Sequence, residues 1–400
     1  MMMKSNQRSA RKRNNGGERN SKQGAALPLD IIQQILCRLP AESIISCSCV
    51  CKSWYALIHE RPFIQQQLER TKNEPCQYLL QSRTGAFFQS LLLLDIHKER
   101  LAEISFKKMK LPTYPKLKLL AFYIVCSCNG LLCLAPKEKM DPVLICNPIT
   151  KDCLILPSAK TVTGFERPCK SYHLGFHLDS SSGNYKVVRE YTFTNNAASN
   201  FQLISVGESS WKVLSGAPDV VLEQGYETPI FWNGAFHWKI SEVDHRNGNN
   251  SCILALDLSD EKFHTISFPE DERNCPRNYR LVDLGGALNI VEHNARFLKI
   301  WTVSGNKVGG FSIRLEHMYI LCVPPRSLLQ HDLICQLEEK SYLMQVFRWE
   351  NGIQKCRLVK FCPAIARHLD LSIPGLPSLY RVVCFKPSLV SPFVASLALS

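Results

Sequence analysis

Apolar residues recur at helical spacing near the start of the chain and at strand spacing over the remainder, and that change of period divides it. Between Leu27 and Arg70, Ile31, Ile32, Ile35, Leu36 and Leu39 follow one stripe of a helix with 3.6 residues per turn. Pro28 falls where a first helical turn tolerates it, because its missing N–H has no partner there. The Leu39-Pro40 step is expected to end that helix, since a residue before proline is pushed out of the α region. A second apolar set follows at Ile44, Ile45, Val50, Cys51, Trp54, Leu57 and Ile58, and Phe63, Ile64 and Leu68 predict one more short helix after Pro62. About 45 residues of short helices cannot bury this much Leu, Ile and Trp among themselves. Part of the stripe is therefore expected at the surface as a docking face, the alternative being a helical cap on the chain's own C-terminal part.

From Tyr78 onward, short runs of Leu, Ile, Val and aromatics alternate with Gly, Pro, Asn and Asp clusters, the pattern of many short strands. The runs repeat. Cys128-Asn129-Gly130-Leu131-Leu132-Cys133 matches Trp232-Asn233-Gly234-Ala235-Phe236-His237, each placing Asn-Gly, a strong hairpin signal, beside an apolar strand. Fainter copies run from Leu174 to Leu214, from Gly285 to Val303 and from Leu333 to Phe361. Closing strands near Cys153, Trp211 and Phe263 lie roughly fifty residues apart, the length of a kelch-type propeller blade, so residues 78–400 accommodate about six blades. Two packed β-sheets are the alternative architecture.

Two resemblances sharpen this division. Leu27-Pro28, the spacing to Ile35-Leu36, Arg38-Leu39-Pro40 and then Val50-Cys51-Lys52-x-Trp54 resemble the F-box. Ser46, Cys47, Ser48 and Cys49 depart from it, standing where that family often carries basic residues and a Phe. The run Ser127-Cys128-Asn129-Gly130-Leu131-Leu132-Cys133-Leu134, the turn Asn147-Pro148-x-Thr150-Lys151 and the motif Phe231-Trp232-Asn233-Gly234-x-x-His237-Trp238 resemble, in order, the F-box-associated domain of plant F-box proteins. The resemblance implies a small N-terminal helical F-box followed by a large all-β domain, a six-bladed, degenerate kelch-like β-propeller, in an α+β multidomain chain. The expected divisions are a basic tail at 1–24 expected to be disordered, the F-box at 25–70, a hinge at 71–77 and the β domain at 78–400. It further implies that Leu27, Pro28, Ile32, Ile35, Leu36, Leu39, Pro40, Val50, Cys51 and Trp54 bind a Skp-type adaptor and through it a cullin scaffold. The β domain would then hold a protein target for ubiquitination.

Composition narrows the function classes. Residues are 45% hydrophobic and 21% charged, as in an ordinary globular chain. No apolar run approaches the eighteen or so residues of a membrane span, and the N-terminus lacks a signal core. The net charge is +13, but seven basic residues against Glu18 in the first two dozen positions supply about half of it. The remainder forms no stripe of the kind nucleic-acid binding requires, so a nucleic-acid partner is not expected. Arg11-Lys12-Arg13 reads either as a nuclear import patch or as a solvated leader, with the chain expected in the nucleus, the cytoplasm or both. Eighteen cysteines without a C-x-x-C pair read as reduced thiols in the core, with no metal or cofactor expected.

No phosphate loop, nucleophile elbow or zinc-protease motif occurs, so no enzymatic site is expected. His173, His177 and His237 read as loop or core residues, and Trp211, Trp232, Trp238 and Trp301 as core. Recognition by loops remains, with Ser158–Lys170, Thr192–Asn200, Asp244–Ser251 and Glu270–Arg280 the longest polar candidates. A carbohydrate-binding propeller and a nuclear regulator acting without a ligase are the rival functions.

Overall fold

A computed structural model describes residues 27–82, 90–96, 105–110, 122–136, 141–158, 169–193, 199–223, 228–241, 251–268, 279–293, 297–320, 330–337, 341–350, 353–363, 367–371 and 379–393. Four short helices come first: α1 (Leu29–Leu36), α2 (Ala41–Cys47), α3 (Lys52–His59) and α4 (Arg61–Thr71). Pro28 is the residue before α1 rather than inside its first turn, and α1 ends at Leu36, three residues ahead of the Leu39-Pro40 step. The second apolar set divides into α2 and α3 around an irregular stretch at 48–51. Pro62 sits in the first turn of α4, which continues through Thr71, so residues 72–76 are all that joins the helices to the first strand.

Twenty-four strands follow among the described residues. They are β1 (Gln77–Ser82), β2 (Ser90–Asp95), β3 (Ser105–Lys110), β4 (Phe122–Cys128), β5 (Leu131–Pro136), β6 (Leu144–Cys146), β7 (Cys153–Ile155) and β8 (Cys169–Asp179). Then come β9 (Asn184–Phe193), β10 (Asn200–Ser205), β11 (Lys212–Leu214), β12 (Ile230–Trp232), β13 (Ala235–Lys239), β14 (Ser251–Asp257), β15 (Phe263–Ser267) and β16 (Tyr279–Leu284). The last are β17 (Ala287–His293), β18 (Phe297–Asn306), β19 (Gly310–Ile320), β20 (Gln330–Gln336), β21 (Tyr342–Glu350), β22 (Ile353–Cys362), β23 (Arg367–Asp370) and β24 (Tyr380–Phe385). They form six four-stranded antiparallel sheets, a six-bladed propeller.

Blades II to VI are the consecutive quartets β4–β7, β8–β11, β12–β15, β16–β19 and β20–β23, whereas blade I reads β24-β1-β2-β3. The last strand therefore closes the ring against the first, with Gln77 opposite Phe385 and Ser82 opposite Tyr380. Successive inner strands β24, β4, β8, β12, β16 and β20 touch one another around the centre. Gln345 Nε2 donating to the Tyr380 carbonyl ties the last blade to the first.

The repeat has a physical basis in the turn after each inner strand. Asn129-Gly130 and Asn233-Gly234 both have two successive positive φ angles, 49° and 78° against 48° and 79°, as a two-residue hairpin turn matching strand twist requires. Gly285-Gly286 makes the same turn in blade V. Gly130, Gly183, Gly234 and Gly286 fall 53, 51 and 52 residues apart, so the two strong sequence copies are two blades apart with a fainter one between.

Two features lie outside the sequence expectations. Cys146 and Cys153 face each other across β6 and β7, with Cα atoms 4.1 Å apart, and are paired as a disulfide, correcting the expectation of thiols alone; thirteen other described cysteines are free. After β24 the chain crosses to blade II. Asn147 Nδ2 donates to the carbonyls of Ser388 (2.9 Å) and Val390 (2.8 Å), and Ser388 Oγ donates to the Asn129 carbonyl. Asn147 Oδ1 meanwhile accepts from the Ile149 N–H, so the Asn-Pro-x-Thr-Lys turn is a receptor for the chain's own C-terminal segment.

Candidate adaptor interface

The helices place a small core beside an uncovered apolar surface. Leu36, Ala41, Ile44, Leu57, Ile58, Phe63 and Ile64 are buried, and they belong to the same contiguous apolar cluster as Leu79, Leu91, Ile124 and Leu132 of blades I and II. Arg70 Nη1 donates to the Cys37 carbonyl at 2.8 Å, tying α4 to the end of α1. Lys386, just past β24, donates from Nζ to the Lys72 carbonyl in the connecting segment. The helical unit is thus seated on the propeller on one side.

Its other side is open. Of eleven large apolar side chains exposed among the described residues, six lie between Leu27 and Tyr55, from 41% exposed at Ile31 to 63% at Val50. Ile31 and Ile35 form an i,i+4 ridge on α1, with Leu27 and Leu29 at its start. Tyr55 stacks on His59 one turn along α3, ring centroids 4.2 Å apart, and His59 Nδ1 lies 2.7 Å from the Tyr55 carbonyl. Leaving such side chains in water forgoes about 1.5–3 kcal/mol each, so six of them on one small helical unit mark a surface built to be covered.

The residues expected to bind an adaptor therefore divide. Leu27, Pro28, Ile35, Pro40, Val50 and Cys51 are exposed. Ile32, Leu39 and Trp54 are half-buried and pack against the core. Leu36, only 2% exposed, lies inside the core and supports the face from beneath. Leu29, Ile31 and Tyr55 join the exposed group without having been singled out; Ile31 belongs to the same stripe, and the i,i+4 step from Ile31 to Ile35 was the available signal. In the divergent stretch, Ser46 Oγ and Ser48 Oγ donate back to the carbonyls of Glu42 and Ile45, closing α2 on itself.

In the propeller, the singled-out histidines take interior positions. His173 is buried with Nδ1 2.6 Å from Glu190 Oε2, His177 stacks on Phe231 at 3.5 Å, and His237 is buried with Nδ1 3.3 Å from the Ile230 carbonyl. Trp238 and Trp301 are buried, while Trp211 and Trp232 are half-buried. The central residues of the four polar loops, including Asp271, Glu272 and Arg273, lie outside the described residues, as does the basic tail.

The family described as F-box associated beta propeller domain matches residues 90–301, just over half of the chain. The chain belongs to that family. The F-box domain itself matches residues 26–66, so the F-box precedes the associated domain. Among similar curated proteins, F-box protein At3g07870 of Arabidopsis thaliana is 26% identical, with 90% of each chain covered. F-box protein At5g65850 of the same plant is 26% identical over 74% of this chain and 71% of its own. F-box/kelch-repeat protein At3g23880 is 24% identical over 66% and 71%. The F-box-associated match ends within β18, while the blade pattern continues through β23 and closes with β24.

Proposed function

We propose that this chain is the substrate-recognition subunit of a Skp–cullin–F-box ubiquitin ligase. The observation that carries the reading is the exposed apolar face of the F-box helices, joined through one continuous core to a six-bladed propeller. In this reading Ile31, Ile35, Val50 and Tyr55, flanked by Leu27, Leu29, Pro28, Pro40 and Cys51, cover themselves with a Skp-type adaptor that is held on a cullin. The propeller retains a protein target, in the nucleus or the cytoplasm. The chain transfers no ubiquitin itself; it raises the target's effective concentration beside the conjugating machinery.

The carbohydrate reading needs aromatic platforms open to sugar rings. The only aromatic among the exposed large apolar residues described beyond the F-box is Phe393, past the last strand, which argues against it. Ile35→Asp and Val50→Asp, each made in the full chain, are expected to abolish capture of a purified Skp-type adaptor while leaving thermal melting within about 1 °C, because exposed substitutions have little effect on stability. Undiminished capture by both variants overturns the docking face.

A further inference from the structure

The two ends of the propeller differ, and the difference follows from topology. Four antiparallel strands return the chain to the end from which each blade's inner strand starts, so all inner strands run in one direction. The turns at Asn129-Gly130, Gly183, Asn233-Gly234 and Gly285-Gly286 therefore share one face. The F-box joins that same face, since Gln77 pairs with Phe385 at the finishing end of β24. At the opposite, starting end lies a shallow cavity open to solvent, lined by His173 of β8, Glu223, Thr228 and Pro229 before β12, His237, Trp238 and Lys239 of β13, and Leu281 of β16.

The polar groups there are fixed from behind. Glu223 is pinned by its N–H donating to the Lys239 carbonyl (3.1 Å), beside a bridge between Leu222 and Ile240. Its carboxylate lies 3.3 Å from Lys239 Nζ, and the ammonium also sits 4.7 Å from the centre of the Tyr279 ring. Exposure decides which charge a visitor meets: the Lys239 side chain is 8% exposed and that of Glu223 38%. The His173 imidazole is held through Nδ1 by Glu190, a fully buried carboxylate that also accepts from Thr192 Oγ1. His237 keeps a buried Nε2 with no partner, and burial lowers its pKa to about 4, so that nitrogen is a neutral acceptor at physiological pH. Pro229, Trp238 and Leu281 supply apolar walls.

The geometry points to this cavity as the anchor for a basic side chain, lysine or arginine, of the target protein, on the propeller face away from the F-box. This assignment rests on the receptor reading above. The cationic head pairs with the part-exposed Glu223 carboxylate, and its methylene stem lies along the apolar walls, as long basic side chains do when partly buried.

The test uses the full chain, immobilised, with nonapeptide pools randomised except for a central Arg, Lys, Gln or Glu. At roughly 0.15 M salt, the Arg and Lys pools are expected to be retained about tenfold over the Gln and Glu pools, the discrimination of one charge-assisted contact. Glu223→Gln is expected to erase that preference. Because this change also removes the counter-ion of Lys239, the double variant Glu223→Gln/Lys239→Met, which leaves no charge behind, must lose the preference with an unchanged melting curve. Pools retained without regard to charge, or a preference that survives in the double variant, overturn the assignment. Adaptor capture on the same preparation separates the two readings. Adaptor bound with indifferent pools removes this site alone, and charge-selective pools without adaptor capture remove the ligase reading alone.

Discussion

Gly130 and Gly234 occupy the same turn position at almost the same φ, yet replacing them should have unequal consequences. An alanine at either site must hold a left-handed backbone, which costs about 1–2 kcal/mol. At Gly234 the added Cβ meets nothing within 4 Å, so the expected loss ends there. At Gly130 it would lie 2.3 Å from Ser388 Oγ and 2.8 Å from both Ser388 Cβ and the Ser388 backbone nitrogen. The C-terminal segment must then shift, which endangers the bond from Ser388 Oγ to the Asn129 carbonyl and the two from Asn147 Nδ2. Three hydrogen bonds at about 0.5–1.5 kcal/mol each add roughly 1.5–4.5 kcal/mol. At about 2–4 °C per kcal/mol, Gly234→Ala should lower Tm by a few degrees and Gly130→Ala by roughly two to five times as much. Differential scanning calorimetry of both variants, with Gly130→Ala/Ser388→Gly to test for less-than-additive loss, checks this directly. Equal shifts at the two glycines would refute the reasoning, because the local strain is matched and only the contact with Ser388 differs.

Other outcomes follow from the same contacts. Asn147→Ala should lower Tm and raise protease cleavage after Phe385, since it releases two carbonyls of the C-terminal segment; limited proteolysis with mass readout checks it. Leu36→Asp should unfold the helical unit, as circular dichroism of the F-box helices would show, because a carboxylate replaces a buried side chain. His237 titrates near 6.5 when unfolded and about 4 when folded because burial disfavours its charged form. Its contribution is therefore complete above pH 6.5 and is lost as pH falls toward 4, by at most about 3 kcal/mol. Urea midpoints between pH 7 and 4.5 should fall for the native chain and fall less for His237→Phe. Alanines at Arg11, Lys12 and Arg13 should leave melting unchanged, and the nuclear fraction of a fluorescent fusion decides between import patch and solvated leader.

What could be read from the residues was what local chemistry dictates. Asn129-Gly130 and Asn233-Gly234 announced hairpins because few other pairs accept two positive φ angles in succession, and the spacing of the closing strands near Cys153, Trp211 and Phe263 carried the blade count. The apolar stripe from Ile31 to Leu39 marked an amphipathic helix, but periodicity has no means of deciding which edge of a wide stripe meets the core. Ile35 therefore stays exposed while its neighbour Leu36 is buried. Ring closure was not legible, since β24 pairs with β1 across some three hundred residues and Tyr-Arg-Val-Val-Cys-Phe carries no mark of its partner. Nor was the interior polar network, because Lys186, Arg189 and Glu190 are charged residues of the kind that a strand ordinarily turns to solvent. They are buried with Asp179, Gln202 and His173 as partners. The meaning of Asn147 emerges only when Ser388 and Val390 arrive beside it.

The bipartite receptor is tested most directly by quantitative mass spectrometry of proteins co-purifying with the full chain and with its Ile35→Asp/Val50→Asp variant, after calorimetry shows that both propellers melt together. A Skp-type adaptor and a cullin should accompany the full chain in near-stoichiometric amounts and vanish with the variant, while proteins held by the propeller remain on both. Adaptor and cullin recovered equally from the two, or from neither, would contradict it.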